Sequence, residues 1–359
     1  MNKMNYHVFD LKKNTNYQIS VSTNTNNKME LKILEDTFFG KINIEGVDTY
    51  TFNYYNDKLE KINIECRYSS DYDIIMEEHN IRVSQIHVSN VLRQAFLDDL
   101  KNAYHLVDYY DDYAPSIFYG IMDNDDMLKL ERNKSLKIIV WIGGDIAINP
   151  RSERLILKKI NKINTLKNVK HIGISSFIIQ NLIDLKLPYK AVPFMGVNFE
   201  IYKPVTKGPS IYLYTDLMDE NRYGREIYTK LMEKYPNINF IVACCKINHD
   251  RSIAKKIQMK YGIKYYNKKE LVEKIYPQCF IGLRLTKHDG LAATVQELGL
   301  LGIKTIHNGN SPSSLNYHNF DDVCKHIDNE MKTIGFIDQI TANDVKNFLT
   351  INENFFWTN

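Results

Sequence analysis

The sequence predicts an α/β protein: two α/β halves, each a parallel sheet covered by helices, facing a common cleft and preceded by a small all-β module. Three observations predict it. From about residue 84, short β-branched runs alternate with helical patterns, as parallel sheets with crossover helices require. The alternation pauses at "EIYKPVTKGP" (200–209), where two prolines and a glycine mark a linker, and then restarts. Before residue 83 the chain instead strings together short alternating runs separated by Asn, Asp, Gly and Ser, the pattern of a small antiparallel sandwich or barrel.

The length supports more than one core, since 359 residues exceed what a single core accommodates. The predicted boundaries are 1–82 for the β module, 83–204 for the first α/β half and 205–359 for the second. The last helix, within 341–359, is expected to pack back on the first half. In order, "SQIHV" reads as a strand and "SNVLRQAFLDDLKNAYHLV" as a helix capped by Ser89 or Asn90. "PSIFYGIM" is a strand, and "DNDDMLKLERNKS" a helix whose opening acids suit its dipole. "LKIIVWIGGD" is a near-continuous apolar strand, and "RSERLILKKINKI" a helix. "VKHIGIS" (strand), "SFIIQNLIDLK" (helix) and "YKAVPFMGVN" (strand) complete the first half.

The second half opens with strand "SIYLYTD" and helix "GREIYTKLMEKYP". Strand "INFIVACC", helix "HDRSIAKKIQMKYG", strand "IKYYN" and helix "KKELVEKIYPQ" follow. Then come strand "CFIGLRLT", helix "LAATVQELGLLG", strand "IKTIHNG", helix "FDDVCKHIDNEMKTIG" and the final helix "TANDVKNFLTINENFFW".

A formal charge of +3, with basic residues spread along the chain, excludes a dedicated nucleic-acid binder. The modest cluster "LKKINKINTLKNVK" (157–170) reads as a solvated helix face; its sharper reading is peripheral contact with an anionic membrane. No run of about 18 apolar residues is present, so no transmembrane helix is expected, and the N-terminus shows no secretory signal. Five cysteines without CxxC spacing argue against a zinc site or disulfide framework and for a reducing, cytoplasmic compartment. The absence of Gly-x-Gly-x-x-Gly and of a P-loop argues against a dinucleotide oxidoreductase or an ATPase.

Ligands of open parallel sheets bind at the carboxyl ends of the strands. The Gly-rich and acidic segments "WIGGD", "LYTD", "LRLTKHDG" and "IHNGNS" all follow strands. In "DGLAATVQELGLLGIKTI", Asp289 precedes a glycine and Glu297 follows eight positions on. A helix starting near Leu291 would offer free N–H groups and a positive dipole end to a phosphate, with Gly290 allowing close approach. Asp289 would accept hydrogen bonds from sugar hydroxyls, and Glu297, embedded in an apolar run, would need a partner. The bland readings are an N-cap for Asp289 and a solvated helix residue for Glu297.

The segment resembles the donor-binding motif of retaining GT-B glycosyltransferases, where two acids separated by seven residues precede a Gly-turn-strand. Here Asp289 replaces the family's first Glu. "VPFMGVNFEIYKP" resembles the family's hinge segment. "VWIGGD" resembles its first-domain strand end, keeping Asp145 but placing Ile142 where a His is usual. "SIYLYTDLMDENRYGREI" stands where the family carries an Arg and a Lys for the diphosphate; this match is poor, and Arg222, Arg225, Arg284 or Lys287 would supply the charge instead.

The resemblance covers about residues 84–359. It implies two Rossmann-like domains and sugar transfer from a nucleotide-sugar to a carbohydrate or glycolipid acceptor hydroxyl, with retention and without a metal or other cofactor. Glu297 would bind the nucleotide ribose and Asp289 the donor sugar. The backbone at Gly290 and Leu291, with Arg284 or Lys287 and the Asn308–Gly309 loop, would hold phosphate. Asp145, counted with Asp289 and Glu297 among the catalytic residues, would line the cleft from the first half, with the Gly143–Gly144 turn on the acceptor side. A nucleotide-sugar 2-epimerase and a catalytically inactive carbohydrate-binding or scaffold protein are the rivals.

Weaker signals are "DND" at 123–125, matching an Asp-x-Asp metal motif but also ordinary capping, and the Tyr/Asp-rich "VDYYDDYAP" (107–115), readable as an acceptor contact or a surface loop. His288, beside Asp289, reads either as a phosphate or hydroxyl contact or as incidental.

Overall fold

The computed structural model describes residues 82–148, 152–215, 224–244, 266–286 and 289–356, and the backbone of strands within residues 5–78. In the latter, β1 (Asn5–Asp10), β6 (Lys61–Arg67), β3 (Met29–Leu34) and β4 (Phe39–Ile44) pair antiparallel in that order. A second antiparallel sheet has the order β5 (Thr49–Asn56), β2 (Thr15–Thr23), β7 (Tyr72–Glu78).

The first α/β half holds strands β8 (Gln85–Val88), β9 (Val107–Asp108), β10 (Ser116–Tyr119), β11 (Lys137–Trp141), β12 (Val169–Gly173) and β13 (Tyr189–Ala191). They form one parallel sheet in the order β13-β12-β11-β10-β8-β9. The helices are α1 (Asn90–Tyr104), α2 (Asn124–Arg132), α3 (Glu153–Ile163) and α4 (Ser176–Asp184). The central strand "KIIVW" is buried along its whole length, as a strand covered on both faces must be. Even Lys137, at its start, is buried, and its ammonium donates to the carbonyls of Asn133 and Ser135 at 3.0 and 2.9 Å.

The second half has strands β14 (Ser210–Thr215), β15 (Phe240–Cys244), β16 (Cys279–Leu283), β17 (Lys304–Ile306) and β18 (Ser314–Leu315), parallel in the order β15-β14-β16-β17-β18. Its helices are α5 (Arg225–Lys234), α6 (Ala293–Leu300), α7 (Phe320–Met331) and α8 (Gln339–Leu349). The predicted helix 249–262 and the strand "IKYYN" lie wholly or mostly outside the described residues. Among the described residues no helix is long and apolar enough to cross a membrane.

Four expectations change. The basic cluster 157–170 is not a single solvated helix face: α3 ends at Ile163, as the sequence predicts, Asn168 turns the chain in a left-handed conformation (φ 57°), and Val169 opens β12. Within α3, Lys159 turns inward to the carbonyls of Ile121 and Asp145, and Lys162 pairs with Glu131, so the cluster is not a uniform basic face. The linker is not free along its length. Lys207 is fully buried, 3.0 Å from Glu330 and 3.8 Å from Asp338, and its backbone bonds Phe336 and Gly335. A lysine without exposure needs such partners, so this part of the segment is built into the second core.

The third change concerns "KKELVEKIYPQ", which winds as a short α turn, then a π turn (Leu271–Ile275), then a 3₁₀ turn (Tyr276–Gln278) where Pro277 denies the ladder a donor. The fourth is the last helix. It ends at Leu349, packed against α6, and a 3₁₀ turn (Glu353–Phe356) follows. The break lets Phe355 and Phe356 reach the first core. Phe356 is buried against Tyr104 and Phe194, and its carbonyl accepts from the Val83 amide at 2.6 Å. The chain therefore crosses from the first half to the second and returns.

Phe356→Ala is expected to cost about 3–5 kcal/mol, because it empties a packed aromatic site. A fall in the denaturant midpoint of that size checks it; an unchanged midpoint would show the return strap to be dispensable.

Candidate functional site

The carboxyl ends of β11 and β12 face the loop after β16. A β-carbon added at Gly290 would lie 2.7 Å from the Ile142 carbonyl oxygen, so only a glycine allows this approach. Ser175 Oγ donates to the Asp289 carbonyl at 3.3 Å, and Leu291 packs against the cores of both halves. The two halves meet here, at the strand ends where the sequence places its Gly-rich and acidic segments.

Asp145 fixes the first-half side of that contact. Its carboxylate is fully buried and accepts from the amides of Ile121, Ile142 and Gly143 at 3.2, 3.1 and 3.0 Å. Burial pushes its pKa up, opposed by those amides and by Lys159. The carboxylate thus closes the turn that presents the Ile142 carbonyl. It is a positioning group, where sequence reasoning counted it among the catalytic residues lining the cleft. Gly143 sits at φ 129°, a conformation that excludes a side chain without strain, and the space beside it is open; Gly144 abuts Met122.

On the second-half side, Arg284 follows β16. Its Nε donates to Asp289 Oδ2 at 2.5 Å, and its guanidinium lies 4.4 Å from the centre of the Tyr214 ring. Thr286 Oγ1 donates to the same carboxylate oxygen at 3.4 Å, and the Gly290 amide to Oδ1 at 2.9 Å. Burial alone would raise the Asp289 pKa. The charge and hydrogen bond of Arg284, with His307 and the Gly290 amide, outweigh it and hold the group below its ordinary value. Asp289 is not a helix cap: α6 starts at Ala293 behind Ala292, and no side chain caps it.

His307 is buried, with Nδ1 3.1 Å from the Arg284 carbonyl, and burial lowers its pKa. Gly309 packs against its ring, and Asn308 Oδ1 accepts from the Tyr317 amide at 2.8 Å. The Asn308–Gly309 loop is thereby held beside the strand that carries Arg284. Arg222 and Lys287, along with His288, lie outside the described residues, as does the side chain of Arg225.

Glu297 stands apart from Arg284. It is buried on α6, accepting from Tyr276 at 3.0 Å and Tyr202 at 3.3 Å, with the Lys268 ammonium 3.9 Å away. Burial raises its pKa, opposed by Lys268 and the two hydroxyls. Lys268 also donates to Asp99 of α1 at 2.6 Å, so one cation links the buried acid to the first half. The sequence offered no signal for Lys268, Tyr202 or Tyr276, which lie 21 to 95 positions from Glu297. Tyr214 was equally unmarked.

The "DND" signal resolves as capping. Asp123 caps α2 and forms a reciprocal box with Asp126, which also accepts from His87 and Ser89 at 2.7 Å each.

No family model matches the sequence, and no curated protein is significantly similar to it. Among solved structures, sucrose-phosphate synthase from Thermosynechococcus elongatus aligns with 73% of this chain and 76% of its own, at a TM-score of 0.50 and 12% identity. The two chains share the GT-B fold. TarM matches at 0.48 and 14% identity, over 70% of this chain, which spans 55% of TarM's length. An α,α-trehalose 6-phosphate synthase from Burkholderia multivorans matches at 0.45 and 10%, over 72% of each chain.

Two outcomes test these electrostatics. Asp289 has a lowered folded pKa, so its pairing stabilises fully above the ordinary value of 3.8 and is lost as pH falls below it. Asp289→Asn should cost about 3 kcal/mol at neutral pH, with the gap to wild type closing under acid. A pH-independent gap in unfolding free energy would overturn this. Glu297 has the opposite sign: its folded pKa lies above 4.5, so it costs stability as pH rises through that value. Glu297→Gln should therefore gain on wild type between pH 4 and 8, and a constant difference in melting temperature would contradict it.

Proposed function

We propose that this chain is a nucleotide-sugar-dependent glycosyltransferase that moves a sugar to an acceptor hydroxyl with retention at the anomeric carbon. The observation that carries the reading is Arg284. It is an oriented cation after the carboxyl end of β16, paired with Asp289, whose neighbour Gly290 meets the Ile142 carbonyl and whose loop leads into the uncapped start of α6. A helix N-terminus and a fixed guanidinium together suit a diphosphate. In this reading both neutralise the leaving nucleoside diphosphate, the charge that develops in the transition state, without a divalent metal. The rate comes from that stabilisation and from positioning across the cleft.

Asp289 then acts chiefly through Arg284, since both its oxygens are engaged, and sugar contact falls to the neighbouring backbone. Glu297 is the candidate ribose acceptor. Burial raises its pKa, so ionising it there costs stability, which fits a group retained for a ligand. The acceptor is a carbohydrate or glycolipid entering beside the Gly143–Gly144 turn, and action in the cytoplasm, with peripheral membrane contact, belongs to the same proposal. A 2-epimerase of the same fold would give product with no acceptor present. The engaged Asp289 carboxylate favours the other rival, a carbohydrate-binding protein without catalysis.

The test is a thermal-shift panel of UDP, GDP, ADP, CDP and dTDP on wild type, Arg284→Ala and Glu297→Ala. One nucleotide should stabilise wild type, by about 2.7 kcal/mol at a hundred times its dissociation constant, and neither variant should respond. No response to any nucleotide at millimolar concentration would remove the transferase reading and favour the binding protein.

A further inference from the structure

A cavity of about 700 Å³ lies between the edge of the first sheet and the returning strap. Its position follows from the strand register. Ile138 lies opposite Lys170, and Ile172 opposite Lys190. Residues two apart on a strand share a face, so Ile138, Lys170, Ile172 and Lys190 all point to one side of the sheet. Thr350–Asn352, Asn354 and Phe355 form the opposing wall. Lys170 stands near the amino end of β12, whereas Lys190 is level with Ile172 near the carboxyl end of β12, so the cavity runs along the β12–β13 edge. Neither Arg284 nor the Gly290–Ile142 contact lines it.

Its chemistry is that of an anion site with an apolar bed. Both lysines are exposed to the cavity, and among the described residues no carboxylate pairs with either. The Lys190 ammonium lies 5.9 Å from the centre of the Phe355 ring. The two lysines lie diagonally on one face of neighbouring strands, and burial together with repulsion from Lys190 lowers the pKa of Lys170. A doubly charged anion between them converts that repulsion into two charge-assisted hydrogen bonds. Ile138, Ile172 and Phe355 add apolar surface for an organic body, and the volume suits a small molecule.

We propose that this cavity binds a small phosphate monoester with an organic body, such as a sugar phosphate, through Lys170 and Lys190. The site is independent of the nucleotide reading, because it shares no residue with it. Calorimetry of the full chain with glucose 6-phosphate tests it, with glucose as the uncharged control. The variants are Lys170→Ala/Lys190→Ala, Lys190→Glu and Arg284→Ala. Because both lysines are exposed, their variants should keep the wild-type melting temperature. The sugar phosphate should bind wild type and Arg284→Ala alike, and at least ~10-fold more weakly in either lysine variant; glucose alone should not bind. Equal affinity in the lysine variants, loss in Arg284→Ala, equal binding of glucose, or no binding to wild type at millimolar concentration would each overturn the proposal.

Discussion

The approach of Gly290 to the Ile142 carbonyl is the contact on which the rest of the site depends. It needs a glycine on one side and a rigid carbonyl on the other. The carbonyl is rigid because three amides converge on the buried Asp145 carboxylate, which fixes the turn from Ile142 to Gly143. The glycine is placed by its neighbour, since Asp289 accepts from the Gly290 amide and from Arg284 at once. One carboxylate in each half thus stiffens its loop, and the two loops meet. Neither acid needs to touch a ligand to matter: removing either would free a backbone segment that a cleft ligand must find in place.

This explains which parts of the site were legible. Strand and helix alternation exposed the parallel sheets because β11 and β16 are buried on both faces and so read as continuous apolar runs. The loops after them stood out because glycines and acids are unusual beside such runs. What the sequence hid were partners distant along the chain. Asp289 looked like a sugar ligand or a cap because nothing in the local pattern says that Arg284 folds back on it. Glu297 was marked as buried by its apolar neighbours, but Tyr202 and the segment carrying Lys268 and Tyr276, which satisfy it, lie 21 to 95 positions away. The strands β9 and β18 were too short, at two residues each, to carry any periodicity.

The errors share a cause as well. Residues 341–357 read as one helix because their composition favours helix throughout. The structure breaks it where the first core claims Phe355 and Phe356. Tertiary packing overrides local propensity in this way whenever the buried aromatic or β-branched surface outweighs a fraction of a kcal/mol per residue. The buried Lys207 belongs to the same class. A Pro- and Gly-rich stretch signals a linker, but it cannot reveal Glu330 and Asp338 waiting more than a hundred residues later.

Among the described residues, the connections between the two halves include three of different kinds. The strap is apolar and inserts Phe356 into the opposite core, which makes it the costly one to break. The Gly290–Ile142 contact is steric and short-ranged. The Lys268–Asp99 pair is ionic, with both side chains about a third exposed, and its strength falls in salt. A cleft that must admit and release a charged ligand can give up the last two and keep the first. Lys268 stands 2.6 Å from Asp99 of the first half and 3.9 Å from the buried Glu297, so the ionic connection also opposes the burial that raises the pKa of Glu297.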